Sequence, residues 1–172
     1  MFAAAAAYGA SDEPTVAVSY DAKADATRIR ASIHVAAPPM VVWQVLNDCP
    51  RTAKIIANVE SCRVIDKDPA GRWDVTESVV NPPILPRIRT VTRTTLEPGK
   101  RLAFKLVSGD LRRSEGEWRL EPSGNGTLLI HDGLVAPEGF APQFLVEQAI
   151  RSDFPGIMRA MKLASEKDAA KR

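Results

Sequence analysis

The feature that most constrains this fold is a run of six strand-like segments between residues 59 and 135, joined only by short turns. The breaks contain Pro, Gly, Asn and Asp, which favour turns for distinct backbone reasons. Strands linked this closely pair as antiparallel neighbours, because a parallel pair needs a much longer crossover. The predicted strands are residues 59–66, 72–80, 87–96, 101–107, 114–120 and 127–135.

One more strand and two short helices are predicted before this run. Apolar and polar residues alternate from Thr27 to Val35, which is typical of a strand with one buried face. The prolines at 38 and 39 end that strand, and proline is tolerated in the first turn of a helix. We therefore expect short helices at residues 40–47 and 50–57.

The last segment, residues 141–167, is predicted to be a long amphipathic helix. Its apolar stripe has three- and four-residue spacing and consists of Val146, Ile150, Phe154, Ile157, Met158, Met161 and Ala164. Pro155 and Gly156 predict a kink, or two abutting helices. The element order predicts an α+β fold, with a curved seven-stranded antiparallel sheet around the C-terminal helix. A twisted sheet and a straight helix leave a gap, which predicts a pocket.

Composition excludes several kinds of function. The chain has 172 residues and a net charge of +2, without a charged block that would suggest a nucleic-acid or membrane tail. No stretch approaches the ~18–20 apolar residues of a membrane-spanning helix. The two histidines and two cysteines lack the spacing of a zinc site, and no glycine-rich phosphate loop is present. We expect no metal, no cofactor, no nucleic-acid partner and no transmembrane segment.

The N-terminal segment carries little periodic pattern. Residues 1–26 are expected to be extended or disordered, and residues 27–168 to form the domain. The first ten residues, MFAAAAAYGA, are small and apolar but lack the basic leader of a full secretory signal. They match either the remnant of a signal peptide or a floppy terminus.

The two cysteines, Cys49 and Cys62, flank the second short helix. A chain that doubles back there can bring their Cα atoms within the about 4.4–6.8 Å that a disulfide requires. We favour this bond over two reduced, buried thiols. A disulfide would favour a periplasmic or otherwise exported location over the cytoplasm.

Three stretches together resemble a known family. They are residues 33–48 (IHVAAPPMVVWQVLND), residues 116–122 (GEWRLEP) followed by Gly126-Thr127, and residues 154–158 (FPGIM) with Lys162 and Ala164. In this order they resemble the polyketide cyclase / lipid transport family of the START-like superfamily, which also contains the coenzyme-Q-binding proteins. The resemblance implies a helix-grip fold with a cavity between sheet and helix. It does not imply one activity, because members bind lipids, quinones, polyketides or hormones and only some are enzymes.

One strand offers a candidate polar anchor for a ligand. Trp73, Val75 and Val79 share a strand face with Glu77. If that face is concave, the carboxylate enters an apolar enclosure and must pair with a base or take a raised pKa. Arg89 on the next strand is the expected partner, and the pair would orient the polar end of a ligand. Alternatively, the carboxylate lies at a strand end and reaches water.

Other candidates lie on the apolar phases of the strands and of the long helix. The predicted ligand wall comprises Trp73, Phe104, Trp118, Ile150, Phe154 and Met158. His131 either faces the cavity as a hydrogen-bonding group or proton carrier, or is a partly exposed strand residue. The basic residues between 87 and 113 are interpreted as a solvated outer face balanced by Glu115 and Glu117, rather than as a nucleic-acid surface.

Three functions follow from these features. The first is non-catalytic binding or carriage of a hydrophobic small molecule, namely a lipid, an isoprenoid quinone or an aromatic polyketide. The second is an enzyme of the cyclase or dehydratase kind, with Glu77 and His131 as acid and base. The third is a protein-interaction module with a closed cavity. The scarcity of Tyr and His favours the carrier.

Overall fold

The computed structural model describes residues 11–139 and 141–172. Over those residues the chain forms one antiparallel sheet with three helices. The strands are β1 (Thr15–Asp21), β2 (Ala26–Val35), β3 (Val59–Lys67), β4 (Trp73–Val80), β5 (Ile88–Glu97), β6 (Arg101–Gly109), β7 (Leu111–Ser123) and β8 (Gly126–Pro137). The helices are α1 (Pro39–Leu46), α2 (Cys49–Ile55) and α3 (Gln143–Ala169).

The sheet confirms the predicted helix-grip architecture. Its strand order is β1-β2-β8-β7-β6-β5-β4-β3, so β3 to β8 form the expected meander and β2 returns to pair with β8. The two short helices carry the chain from β2 to the far edge at β3. The long helix α3 then packs against β1, β2 and α1.

The strand count and the N-terminal boundary need correction. The structure has eight strands over the described residues, not seven, because β1 pairs along its whole length with β2. This strand lies within the segment that the sequence indicated to be extended or disordered. Its outward face meets solvent at the sheet edge, which weakens its apolar pattern. The signal-peptide interpretation concerns residues 1–10, which lie outside the described residues.

The C-terminal helix is continuous, so the alternative of two abutting helices is wrong. It runs for 27 residues with Pro155 inside it. Proline removes one helical N–H, which leaves the carbonyl four residues earlier without its usual donor. Packing of the helix before and after Pro155 compensates for this lost hydrogen bond. Val146 and Ala149 are buried before the proline, and Met158 and Met161 are buried after it.

The main core lies where α1 and α3 cover β2 and β8. Ile33, Val35, Leu129, Val42 and Met158 are almost completely shielded from solvent. Their large side chains fill the space between the layers, and burying each one contributes about 1.5–3 kcal/mol. Much of the stabilisation from buried apolar side chains therefore comes from the part of the sheet around β2 and β8.

The predicted disulfide is confirmed. Cys49 begins α2 and is bonded to Cys62 in β3, with their Cα atoms 5.2 Å apart. The hydroxyl of Ser78 on β4 donates a hydrogen bond to the sulfur of Cys62 at 3.3 Å. The bond fixes the second short helix to the edge strand of the sheet.

Candidate ligand-binding site

A cavity of about 270 Å³ lies between the sheet and the N-terminal half of α3. The sheet and its loops contribute Val80, Pro82, Leu85, Ile88, Thr90, Leu111, Ser114, Val135 and Pro137. The helix contributes Val146, Ala149, Ile150, Asp153, Phe154 and Ile157. Aliphatic and aromatic side chains dominate this lining, so the cavity suits an apolar molecule.

A second cavity of about 590 Å³ adjoins the first and shares Leu85, Ile88, Leu111 and Pro137 with it. It lies between the β4–β5 loop, the β6–β7 turn and the segment before α3. Ile84, a large apolar side chain in this lining, is 49% exposed. The outer cavity therefore gives the inner one an apolar entrance.

The residues that line the cavity show which face of β4 and β5 is the inner one. Val80 and Ile88 are register partners and both line the cavity, as does Thr90, the partner of Ser78. Because side chains alternate between faces along a strand, the inner residues of β4 also include Asp74 and Thr76. Trp73, Val75, Glu77 and Val79 belong to the outer face.

The placement of Glu77 and Arg89 in the ligand cavity is therefore corrected. Glu77 does pair with Arg89, but on the outer face, where it accepts hydrogen bonds from Arg63 and Arg89, each at 2.8 Å. These bonds hold the pKa of Glu77 below its usual value. The alternative, a carboxylate at a strand end that reaches water, does not describe it either, because Glu77 lies inside β4 and its side chain is largely covered by the two arginines.

Trp73 is also on the outer face rather than at the cavity. The guanidinium carbon of Arg93 lies 4.1 Å from the centre of the Trp73 ring. Long arginine side chains cover apolar surface while their charged ends stay in water. This covering explains why an apolar strand phase does not face the interior here.

Four ring side chains come together on the inner face. The imidazole of His131 lies 4.5 Å from the ring of Trp118, 4.9 Å from Phe154 and 5.8 Å from Phe104, between ring centres. Phe154 also stacks on Trp118 at 6.1 Å. The predicted wall residues Phe104, Trp118 and Phe154 thus form one cluster, and Phe154 connects it to the cavity.

The remaining predicted contacts divide between cavity and core. Ile150 lines the cavity, one helical turn before Phe154. Met158 has no exposed surface and packs with the main core instead. Its assignment as a ligand contact therefore finds no support in the cavity lining.

His131 is buried, not partly exposed. Only 5% of its surface is accessible, and its Nδ1 atom has no hydrogen-bond partner among the described residues. Burial lowers the pKa of His131 to about 4, although the charge of Asp132 opposes this. The imidazole is therefore neutral near pH 7 and keeps one N–H donor and one acceptor.

Asp74 is a candidate that the sequence analysis missed. It lies on the inner face of β4 and is 7% exposed, and its Oδ1 atom has no partner within the described chain. Burial raises the pKa of its carboxyl group. The sequence carries a signal, because Asp74, Thr76 and Ser78 alternate along the strand, but a polar phase ordinarily indicates the outer face of a sheet.

Two other expectations concern metal binding and the basic residues between positions 87 and 113. In residues 11–139 and 141–172 no group of three or more His, Cys, Asp or Glu side chains could hold a metal. On the outer face, Arg89 pairs with Glu77 and Arg113 with Glu115. The basic residues there are at least partly balanced, as the interpretation of a solvated outer face expects.

Among the described helices none is long and apolar enough to cross a membrane.

Similar solved structures share this architecture. A STAR-related lipid transfer protein from Xanthomonas axonopodis is 17% identical, with a TM-score of 0.77, and the match covers 92% of this chain and 96% of that one. The lipid transfer and protein localization domain of human StarD13 is 17% identical, with a TM-score of 0.70 and coverage of 91% and 86%. The Zhui aromatase/cyclase from Streptomyces is 18% identical, with a TM-score of 0.67 and coverage of 84% and 94%.

These likenesses establish the fold, and they include both lipid-transfer and aromatase/cyclase proteins. No curated protein matches the sequence. The family described as polyketide cyclase / dehydrase and lipid transport matches residues 35–162, from the end of β2 into the second half of α3. This match covers most of the sheet, the cavity and the aromatic cluster, and the chain therefore belongs to the polyketide cyclase / dehydrase and lipid transport family.

Proposed function

We propose that this domain binds and carries an apolar or amphipathic small molecule in the cavity between the sheet and α3, without converting it. The observation that carries the proposal is the lining of the inner cavity, where Asp153 is the single ionisable residue among the described lining residues. Such a site gains affinity mainly by removing apolar ligand surface from water. A lipid, an isoprenoid quinone and an aromatic polyketide are the candidate ligands.

The adjoining entrance supports carriage in particular. A carrier must admit and release its ligand, and the inner cavity adjoins an outer one whose lining includes the exposed side chain of Ile84. The cystine agrees with an exported protein, since disulfides persist in oxidising compartments. We therefore propose a periplasmic or otherwise exported carrier, and thiol trapping in intact cells would distinguish this from a reduced, cytoplasmic protein.

The binding test compares a panel of fatty acids, quinones and aromatic polyketides by calorimetry and tryptophan fluorescence. Phe154→Trp should block saturable binding, because the larger ring extends into the cavity that Phe154 lines. Phe144→Trp is the matched control on the same helix, since this side chain is 67% exposed. Absence of binding across the panel, with a filled interior in an experimental structure, would favour an interaction module.

An enzyme of the cyclase kind is the second candidate function. Two buried titratable groups favour it, His131 and Asp74, because one polar atom of each has no hydrogen-bond partner among the described residues. Such groups are candidates for acid–base chemistry when they can reach a substrate. Turnover of a bound polyketide that is lost in both His131→Phe and Asp74→Asn, but kept in the outer-face variant Glu77→Gln, would establish this function instead of carriage.

A further inference from the structure

We infer that His131 is the recognition point for the ligand, and that the ligand is an uncharged apolar molecule carrying a hydroxyl group. The inference rests on the proposed function, because it assigns the polar contact and the ligand class of the same cavity.

The position of His131 places its ring directly behind the cavity wall. Phe154 lines the cavity, and its ring centre is 4.9 Å from that of His131. A ligand that turns the Phe154 ring aside, or extends past it, meets the imidazole next. Trp118 and Phe104 also pack around the imidazole, with ring centres 4.5 Å and 5.8 Å from it, so a ligand group that reaches His131 enters mainly aromatic surroundings.

Two glycines on the sheet leave space for the ring of His131. Gly116 and Gly133 are register partners on β7 and β8. A Cβ atom on Gly133 would lie 2.9 Å from Nε2 of His131, and one on Gly116 would lie 2.5 Å from the Cα of Gly133. A side chain at Gly133 would displace the imidazole, so the glycine preserves its position on the inner face.

The unpaired nitrogen of His131 indicates the polar group of the ligand. Nδ1 is buried and lacks a partner among the described residues, whereas most buried polar atoms in proteins have one. In a neutral imidazole this atom is either a donor or an acceptor, depending on the tautomer. A hydroxyl group can both donate and accept, so it satisfies Nδ1 in either tautomer.

The charges around the cavity disfavour an ionised ligand group, and an anionic one most strongly. No lysine or arginine is among the described residues that line the inner cavity; Asp153 belongs to that lining, and Asp132 follows His131 in the chain. A carboxylate or phosphate brought next to His131 would lose its hydration without gaining a cation. An uncharged hydroxyl loses far less hydration free energy when it enters the same site.

The test uses four bicyclic probes of similar size at pH 7: naphthalene, 2-naphthol, 2-naphthoate and 2-naphthylmethylamine. The wild-type protein should bind 2-naphthol about tenfold more tightly than naphthalene, the ratio that one hydrogen bond of ordinary strength supplies. His131→Phe keeps an aromatic ring and should reduce this ratio to about one. His34→Phe is the control, since His34 lies on the outer face of β2 near Asp12.

A second measurement does not depend on a folded variant. The chain has two histidines, so each imidazole can be assigned in a ¹⁵N spectrum. Saturation with 2-naphthol should shift the Nδ1 resonance of His131, whereas naphthalene should leave it nearly unchanged.

The outcomes separate this inference from the proposed function. Equal binding of the four probes, tightest binding of the anion or the amine, or a naphthol preference that survives in His131→Phe would overturn the role of His131 while leaving a ligand cavity. Failure of all four probes to bind would overturn this inference, and absence of binding across the panel of fatty acids, quinones and aromatic polyketides as well would overturn the proposed function.

Discussion

Phe154 separates the cavity from His131: its ring lies 4.9 Å from the imidazole and also lines the cavity wall. One aromatic side chain thus contributes to the apolar surface and covers the buried polar group behind it. Phe154 also stacks on Trp118, so its position depends on β7 as well as on α3.

Removing the ring of Phe154 should destabilise the fold. We expect Phe154→Ala to lower the free energy of unfolding by about 2–5 kcal/mol, because it leaves a hole beside Trp118 and His131. The same range applies to Ile150→Ala. Denaturant titration measures the loss, and Phe144→Ala serves as the control because exposed substitutions usually change stability by less than about 0.5 kcal/mol. Equal effects at positions 144 and 154 would contradict the packing described here.

Stability should fall on acidification in a way that depends on His131. The imidazole has an ordinary pKa of 6.5 and a folded pKa of about 4, so between these values the unfolded chain binds more protons. The contribution of His131 is complete above about pH 6.5 and decreases by up to about 3 kcal/mol as the pH falls to about 4.

The difference between wild type and His131→Phe isolates this contribution, since the carboxyl groups are common to both proteins. The two unfolding free energies should converge, or exchange order, as the pH falls from 7 to 4. A constant difference over that range would show that His131 is not buried in a neutral form.

The disulfide should be complete and stabilising. Thiol titration of unfolded, non-reduced protein should find no free thiol, because Cys49 and Cys62 are bonded to each other. Replacing both with Ala should cost about 3 kcal/mol by the chain-entropy estimate for a loop of this size. Ser78→Ala removes only the hydrogen bond to the Cys62 sulfur and should cost much less. Two free thiols would also remove the support for an exported location.

The glycine at position 116 should not tolerate a side chain. A Cβ atom there would lie 2.4 Å from the carbonyl oxygen of Asp132, which is backbone and cannot move without disturbing β8. Gly116→Ala should therefore destabilise by about 1–3 kcal/mol. Gly156→Ala is the opposite case, because nothing lies within 4 Å of that Cβ and the residue is inside α3. We expect it to stabilise by about 0.5–1 kcal/mol.

Thermal unfolding of the two glycine variants and the wild type gives this comparison directly. A Gly116→Ala variant that melts as high as the wild type would show that the close approach of β7 and β8 is not as described, whereas the sign of the Gly156→Ala shift tests α3 alone.

Local patterns gave reliable information about the elements and their order. Strand alternation, turn residues and helical spacing depend on neighbours within a few positions, so β2 to β8 and α3 were predictable without tertiary contacts. The pairing of Cys49 with Cys62 was predictable for the same reason, since they are 13 residues apart around one short helix. Edge strand β1 was missed because it is exposed on one side and its pattern is weak.

The sequence by itself determined an antiparallel sheet around a C-terminal helix. It also indicated Phe104, Trp118, Ile150 and Phe154 as candidate ligand contacts. Only the tertiary structure decided which face of β4 is directed toward the cavity and α3. Alternation supplies two phases and no direction, and here arginine side chains cover the more apolar phase of β4 from outside. The curvature of the whole sheet around α3 therefore placed Asp74 inside and Glu77 outside, because concavity is a property of paired strands and not of any one of them.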